Sequence, residues 1–135
     1  MTNSEKLRYS AAVTTFITGI LHLTFVPNLI GYSGYTSLFF LITGIAQLFW
    51  VVPILKKWSN IWYYVGMGGT FILLALWLIT REPHNRILNR ALPVNDIGIV
   101  IEVLQTAFII LCGLIIVTTN RELYTQEKET ELKDG

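Results

Sequence analysis

The chain has few charged residues and one cysteine among its 135 residues. Only 14% of residues are Asp, Glu, Lys or Arg, and a formal net charge of +1 excludes the strongly basic surface typical of nucleic-acid binding. The single Cys112 excludes an intrachain disulfide. There is also no HExxH sequence, no glycine-rich phosphate loop, no CxxC pair and no histidine pair at metal-binding spacing. Common signatures of hydrolysis, nucleotide use and cofactor attachment are therefore missing.

Long apolar stretches occupy most of the chain. Hydrophobic residues make up 53% of it, and the mean hydropathy is +0.54. The stretches 10–28, 37–55, 61–80 and 97–118 each approach the roughly 20 residues that a helix needs to cross a bilayer. Lipid offers backbone amides no hydrogen-bond partners, so each stretch is predicted to be a helix. The sequence predicts an all-α, four-transmembrane-helix bundle over residues 1–119, embedded in membrane lipid, and a polar charged tail over 120–135. The tail alternates Glu and Lys, and it is expected to be a frayed, solvated extension of the fourth helix.

Capping residues and prolines indicate where the helices begin and end. Thr2 or Ser4 is expected to cap the first helix, and Pro27 is expected to end it. Asn95 and Asp96 are expected to cap the fourth helix, where acidic charge also suits the positive helix end.

The distribution of lysine and arginine predicts the orientation. Four crossings place both termini on one side, and that side with the second connection carries Lys6, Arg8, Lys56, Lys57, Arg121, Lys128 and Lys133. The opposite side carries only Arg81, Arg86 and Arg90, in the connection 81–94. Basic residues favour the cytoplasmic face, so we expect a multi-pass protein of the cell membrane with both termini in the cytoplasm. At the start of the third helix, Trp62, Tyr63 and Tyr64 are expected to form an aromatic belt at the headgroup level.

Five polar residues are predicted to form a structural cluster inside the bundle: His22, Gln47, Arg81, Asp96 and Glu102. Ionisable groups are costly in hydrocarbon and usually face the bundle interior, where they pair. At about 1.5 Å per residue, His22 and Glu102 lie at similar depths below the outer face. Helical spacing also predicts a small or polar seam on each helix: Thr15, Thr18 and His22; Ser37, Gly44 and Gln47; Gly66 and Gly69; Gly98, Glu102, Gln105 and Cys112.

Three roles are open for this cluster. A buried charge pair with added hydrogen bonds would fix the order of the helices. A metal site could use His22, Asp96 and Glu102, since imidazole and carboxylate suit zinc, copper or iron. A proton relay or small polar cavity could use the same carboxylate and imidazole. Asp96 alone would serve as a helix cap.

Several short motifs occur along the chain: His22-Leu23 before Pro27, Gly44 with Gln47, the segment 78–81, and Asn95-Asp96 with Glu102. With these motifs the chain resembles a widespread group of small four-helix membrane proteins of unknown function in bacteria and archaea. Many members of that group have a second histidine where this chain has Asn28. That difference weakens any metal site built on the first connection.

The segments 21–24, 58–66 and 77–81 are also similar to small hydrophobic proteins of ammonia-oxidising archaea. This resemblance implies an accessory subunit of a membrane-bound copper monooxygenase, the archaeal ammonia monooxygenase. It also implies that copper is held by the larger subunits, with no catalytic residue, metal ligand or cofactor on this chain.

The leading functional hypothesis is a non-catalytic small integral membrane subunit that packs against and stabilises larger membrane subunits. The alternative is a small transporter or sensor with a polar intramembrane cavity around His22, Gln47, Arg81 and Glu102. A third hypothesis, a metal-binding membrane enzyme, depends on His22.

Overall fold

The computed structural model of the protein describes residues 1–31, 34–84 and 94–135. These residues form four helices: α1 over Asn3–Leu29, α2 over Gly34–Leu55, α3 over Ile61–Thr80 and α4 over Asp96–Asp134. All four are long and apolar enough to cross a membrane, and the described residues contain no strand. The predicted all-α bundle of four membrane-spanning helices is confirmed. Arg86 and Arg90, on which part of the orientation prediction rests, lie outside the described residues.

The helices pack in the order α2, α1, α4, α3 around the bundle. The α1–α2 contact is the most extensive, followed by α1–α4 and α3–α4. The α2–α3 contact is much smaller. Large apolar side chains such as Phe16, Ile42, Phe71 and Val103 are exposed on the outside of the helices, as expected where lipid replaces water.

Helix α1 begins with a capping box and continues past its proline. The Thr2 side chain accepts a hydrogen bond from the Glu5 amide, and the Glu5 carboxylate accepts one from the Thr2 amide at 2.9 Å. The prediction that Thr2 caps the helix is confirmed. The prediction that Pro27 ends it is wrong, because Pro27 lies inside α1, which ends at Leu29.

Two glycines set the close approach of α1 to α2. A Cβ atom on Gly19 would lie 3.0 Å from the Gly44 carbonyl oxygen, and a Cβ on Gly44 would lie 3.0 Å from the Gly19 carbonyl oxygen. Two hydrogen bonds cross the same interface, from Thr15 Oγ1 to the Gln47 carbonyl and from Ser37 Oγ to the Val26 carbonyl, each at 3.1 Å. Small residues and interhelical hydrogen bonds are the usual means by which helices associate in lipid.

The turn between α2 and α3 is a Schellman motif without its usual glycine. The Trp58 amide donates to the Pro53 carbonyl at 3.0 Å and the Lys57 amide to the Ile54 carbonyl at 3.4 Å. Lys57 takes the left-handed position of the motif, with φ of 54°. Its ammonium group lies 3.3 Å from the Glu5 carboxylate, which ties the turn to the start of α1.

An aromatic cluster closes α2 against α3 beside this turn. Phe49, Trp50, Trp58 and Trp62 form ring contacts with centroid separations between 5.0 and 6.4 Å. The Trp50 indole nitrogen donates to the Trp62 carbonyl at 3.1 Å, and the indole lies directly over Gly66. A side chain at Gly66 would occupy the space of the Trp50 ring.

Buried faces agree with the predicted seams on three helices and differ on α3. Thr15, Thr18, Gly44, Gln105 and Cys112 are buried as predicted. On α3, Gly66 is buried, but Gly69 is exposed. The third helix instead buries Tyr63 and Thr70.

Helix α4 continues well beyond the predicted span. It covers 39 residues, or about 58 Å at 1.5 Å per residue, and includes almost all of the polar tail. Every residue from 123 to 135 is exposed. The tail is therefore a helical extension of α4.

Candidate functional site

His22 and Gln47 lie together on the α1–α2 interface. His22 is only 5% exposed and its Nδ1 lies 3.0 Å from the Thr18 carbonyl oxygen, one helical turn earlier. The ring contacts Phe40 of α2 with centroids 5.4 Å apart, and the Gln47 side chain interacts with it. The contact with the Thr18 carbonyl places the ring proton on Nδ1 in the neutral imidazole.

Gln47 supports the same interface from its backbone. Its carbonyl oxygen accepts the hydrogen bond from Thr15, while its side-chain Oε1 is buried and has no hydrogen-bond partner. His22 and Gln47 thus join α1 to α2 through ring packing and polar contacts beside the Gly19–Gly44 approach. These contacts join α1 to α2 without Arg81 or Glu102.

Arg81 and Glu102 form a second polar site between α3 and α4. Arg81 follows the last residue of α3, and its guanidinium carbon lies 4.7 Å from the centroid of the Trp77 ring, one turn earlier. Glu102 is coupled to Arg81 by charge, but the two do not come within ion-pair distance; in the part of the chain that the structure describes, only Lys57 and Glu5 do. Burial lowers the pKa of Arg81 from its ordinary value, and the Glu102 carboxylate opposes that shift. The guanidinium remains charged at neutral pH.

Three buried polar atoms at this second site have no hydrogen-bond partner among the residues that the structure describes: Trp77 Nε1, Arg81 Nε and Glu102 Oε2. Two are donors and one is an acceptor. A buried polar atom without a partner costs about 1–3 kcal/mol, and more when it is charged. The site therefore has unfilled hydrogen-bonding capacity of both kinds.

The start of α4 completes the geometry of the second site. Asn95 caps the helix, because its Oδ1 accepts from the Gly98 amide at 2.6 Å. Gly98 leaves room for this cap, since a Cβ there would lie 2.9 Å from Asn95 Oδ1, whereas its distance of 3.6 Å to Trp77 Nε1 would be an ordinary contact. The predicted cap at Asn95 is confirmed. Asp96 is the first residue of α4 and is exposed, away from the buried polar atoms.

A shallow groove of about 440 Å³ begins at this second site and follows the outer face of α4. Its lining residues are Trp77, Ile99, Glu102, Val103, Thr106, Ala107 and Ile110. From Ile99 to Ile110 the groove extends about 16 Å along the helix, roughly half the thickness of the hydrocarbon core. Apart from Glu102 and the Thr106 hydroxyl, which donates to the Glu102 carbonyl at 2.9 Å, its walls are apolar.

The five residues predicted as one cluster therefore occupy separate places. His22 and Gln47 meet on α1–α2, Arg81 and Glu102 meet on α3–α4, and Asp96 is exposed. Among the described residues, no three His, Cys, Asp or Glu side chains come together in a way that could hold a metal ion. A metal site built from His22, Asp96 and Glu102 is not formed.

The residues that the prediction missed are Trp77 and a polar network at the opposite end of the bundle. Arg8 donates to the Tyr63 hydroxyl at 3.2 Å and to Thr119 Oγ1 at 3.3 Å. Ser4 donates to Glu122 Oε2 at 3.0 Å. A sequence signal for Trp77 existed in its four-residue spacing from Arg81, which places both on one helix face.

The comparisons with known proteins give no relative. No family model, no curated protein and no solved structure matches the chain.

Proposed function

We propose that this protein is a non-catalytic small membrane subunit that packs against and stabilises a larger integral membrane partner. The observation that carries the proposal is the helical extension of α4, in which every residue from Leu123 to Gly135 is exposed. A solvated helix of about this length is marginal by itself in water, and contact with a partner would stabilise it. Three large apolar side chains project from it: Leu123, Tyr124 and Leu132 are 58%, 69% and 74% exposed.

The base of the extension is held to the rest of the bundle. Ser4 bonds to Glu122 and Arg8 bonds to Thr119, so the two bonds link the first turns of α1 to the point where α4 leaves the membrane. The extension is therefore presented at a defined position on the side of the termini, which the basic residues predict to be cytoplasmic. A copper-dependent membrane monooxygenase is the partner that the sequence resemblance implies.

Extraction from the native membrane tests the proposal. The full-length chain, solubilised in a mild detergent, should migrate with larger membrane proteins, and the double variant Tyr124→Ala/Leu132→Ala should lose them. The matched control is Thr125→Ala/Thr130→Ala, because both threonine hydroxyls bond only to carbonyls of their own helix. A wild-type chain recovered alone, or a Tyr124/Leu132 variant that keeps its companions, would contradict the proposal.

The unpartnered polar atoms favour a second candidate function, a small sensor or transporter. Gln47 Oε1, Arg81 Nε and Glu102 Oε2 are all buried without hydrogen-bond partners, as in a site that takes up a polar solute. On this hypothesis, Glu102→Gln abolishes transport or signalling while helix content and detergent stability stay unchanged. Loss of stability in Glu102→Gln with no change in activity per folded molecule would instead indicate a structural role.

A further inference from the structure

The groove between α3 and α4 combines an apolar channel with unfilled polar groups at one end. Its long walls are formed by Val103, Ala107 and Ile110, and its polar end by Trp77 and Glu102. A groove on the lipid side of a bundle is filled in a membrane by a hydrocarbon chain or by another helix. Its polar end decides which occupant fits.

The polar end of the groove is formed by Trp77 and Glu102. Arg81 lies nearby and affects Glu102 electrostatically, but the two do not form an ion pair and Arg81 does not line the groove. The hydrogen-bonding groups of Trp77 and Glu102 therefore decide which head group fits.

The unpartnered atoms specify the hydrogen bonds of that group. Trp77 Nε1 requires an acceptor, and Glu102 Oε2 is a carboxyl oxygen that needs a hydrogen-bond partner. Hydroxyl and primary amide groups can both donate and accept, so they can serve both atoms.

The length of the groove indicates which apolar part the bound molecule has. Below Glu102, the apolar wall continues to Ile110 for about 12 Å, which accommodates one hydrocarbon chain within one leaflet. We propose that the α3–α4 groove binds a single-chain amphiphile, with a hydroxyl or amide head beside Trp77 and Glu102 and a hydrocarbon tail along Val103, Ala107 and Ile110. This site is independent of a partner at the α4 extension.

Tryptophan quenching tests the proposal on the full-length chain in phosphatidylcholine nanodiscs. The probe is a 1-monoacylglycerol with a dibrominated chain, and the Trp77 signal is the difference between wild type and Trp77→Phe. The comparison compound is the dibrominated fatty-acid methyl ester, which has an acceptor but no donor. We expect saturable quenching of Trp77 by the monoacylglycerol at a mole fraction at least tenfold lower than for the ester. Equal quenching by both compounds would overturn the proposal.

Two variants test the proposed positions of the head and of the tail separately. Glu102→Leu should remove the preference for the monoacylglycerol, and Ala107→Phe, which fills the groove, should abolish saturable quenching by either compound. Thr125→Ala is the matched control and should behave as wild type, because Thr125 lies outside the groove and its hydroxyl bonds within α4. Retained preference in Glu102→Leu, at wild-type helix content, would contradict the assigned head position.

Photo-crosslinking in native membranes identifies the natural occupant. A photoreactive residue at Val103, which lines the groove and is 62% exposed, should capture a lipid-sized adduct. Capture of a protein at this position would show that a partner helix fills the groove and would overturn the proposal. Because the α4 extension is not involved, this outcome is distinct from failure of the proposed subunit function.

Discussion

Gly19 and Gly44 face one another across the α1–α2 interface, so closely that a Cβ on either would lie 3.0 Å from the carbonyl oxygen of the other. The same imaginary Cβ on Gly44 would lie 2.8 Å from the Leu23 side chain. The backbones of the two helices therefore form the contact themselves.

Gly44→Ala should lower the free energy of unfolding by about 1–3 kcal/mol, because the added methyl group must push the helices apart. Gly69→Ala is the matched control, since nothing lies within 4 Å of its imaginary Cβ. The control should be neutral or stabilising by up to about 1 kcal/mol from helix propensity. Unfolding by SDS titration in mixed micelles measures both, and equal effects would contradict the assigned close contact.

Gly66→Ala should destabilise the α2–α3 end of the bundle, because the Trp50 indole occupies the space of the new methyl group. Trp50→Phe removes the clashing ring nitrogen and its bond to the Trp62 carbonyl. In the Trp50→Phe background, Gly66→Ala should therefore cost less than it does in wild type. A double-mutant cycle with SDS unfolding tests this coupling, and strictly additive costs would exclude it.

Tyr63→Phe should cost about 1 kcal/mol, since it deletes the acceptor of the Arg8 hydrogen bond at the end of the bundle that carries the termini. Tyr63 is 2% exposed, whereas Tyr64 beside it is 55% exposed, so Tyr64→Phe is the control and should be neutral. In an Arg8→Ala background the cost of Tyr63→Phe should nearly vanish. The same loss in both backgrounds would show that the bond contributes nothing.

Lys57→Gly should raise stability by about 1 kcal/mol or leave it unchanged, because glycine relieves the left-handed conformation at φ of 54°. The exposed ion pair with Glu5 offsets at most part of this gain. Lys56→Gly, one residue earlier, is the control and should be destabilising. Thermal unfolding followed by circular dichroism distinguishes the two variants, and a lower midpoint for Lys57→Gly than for Lys56→Gly would contradict the assignment.

Cysteine labelling should test the predicted orientation without removal of the native thiol, because Cys112 is fully buried. A membrane-impermeant maleimide added to intact cells should label His84→Cys and leave Ser59→Cys unlabelled. After the cells are broken open, both should react. Labelling of Ser59→Cys in intact cells would contradict the predicted topology.

The fold could be predicted because each crossing is visible in one stretch of sequence. The apolar runs and the caps at Thr2 and Asn95 are local features, and they match the structure. The prediction that α1 ends at Pro27 was wrong, because a proline near a helix end removes one backbone donor without forcing the helix to stop there. The alternating charges of the tail predicted a solvated extension of the fourth helix, and α4 continues through the tail to Asp134.

The candidate sites could be predicted only in part, because the depth of a residue in the bilayer does not determine which neighbouring helix its side chain faces. His22 and Glu102 lie at comparable depths, about 10 Å below the ends of α1 and α4, yet each faces a different neighbouring helix. Pairing depends on the order of the helices around the bundle and on their rotation, and a single sequence contains no direct signal for either. Tyr63 shows the same limit: it was expected in the aromatic belt, and it is buried against Arg8.

The uninterrupted course of α4 has a mechanical consequence. The helix contains no proline, so the segment that carries Glu102 and the segment that ends at Asp134 form one stiff rod. Any tilt of this rod within the bilayer must displace its C-terminal end by a proportionate distance.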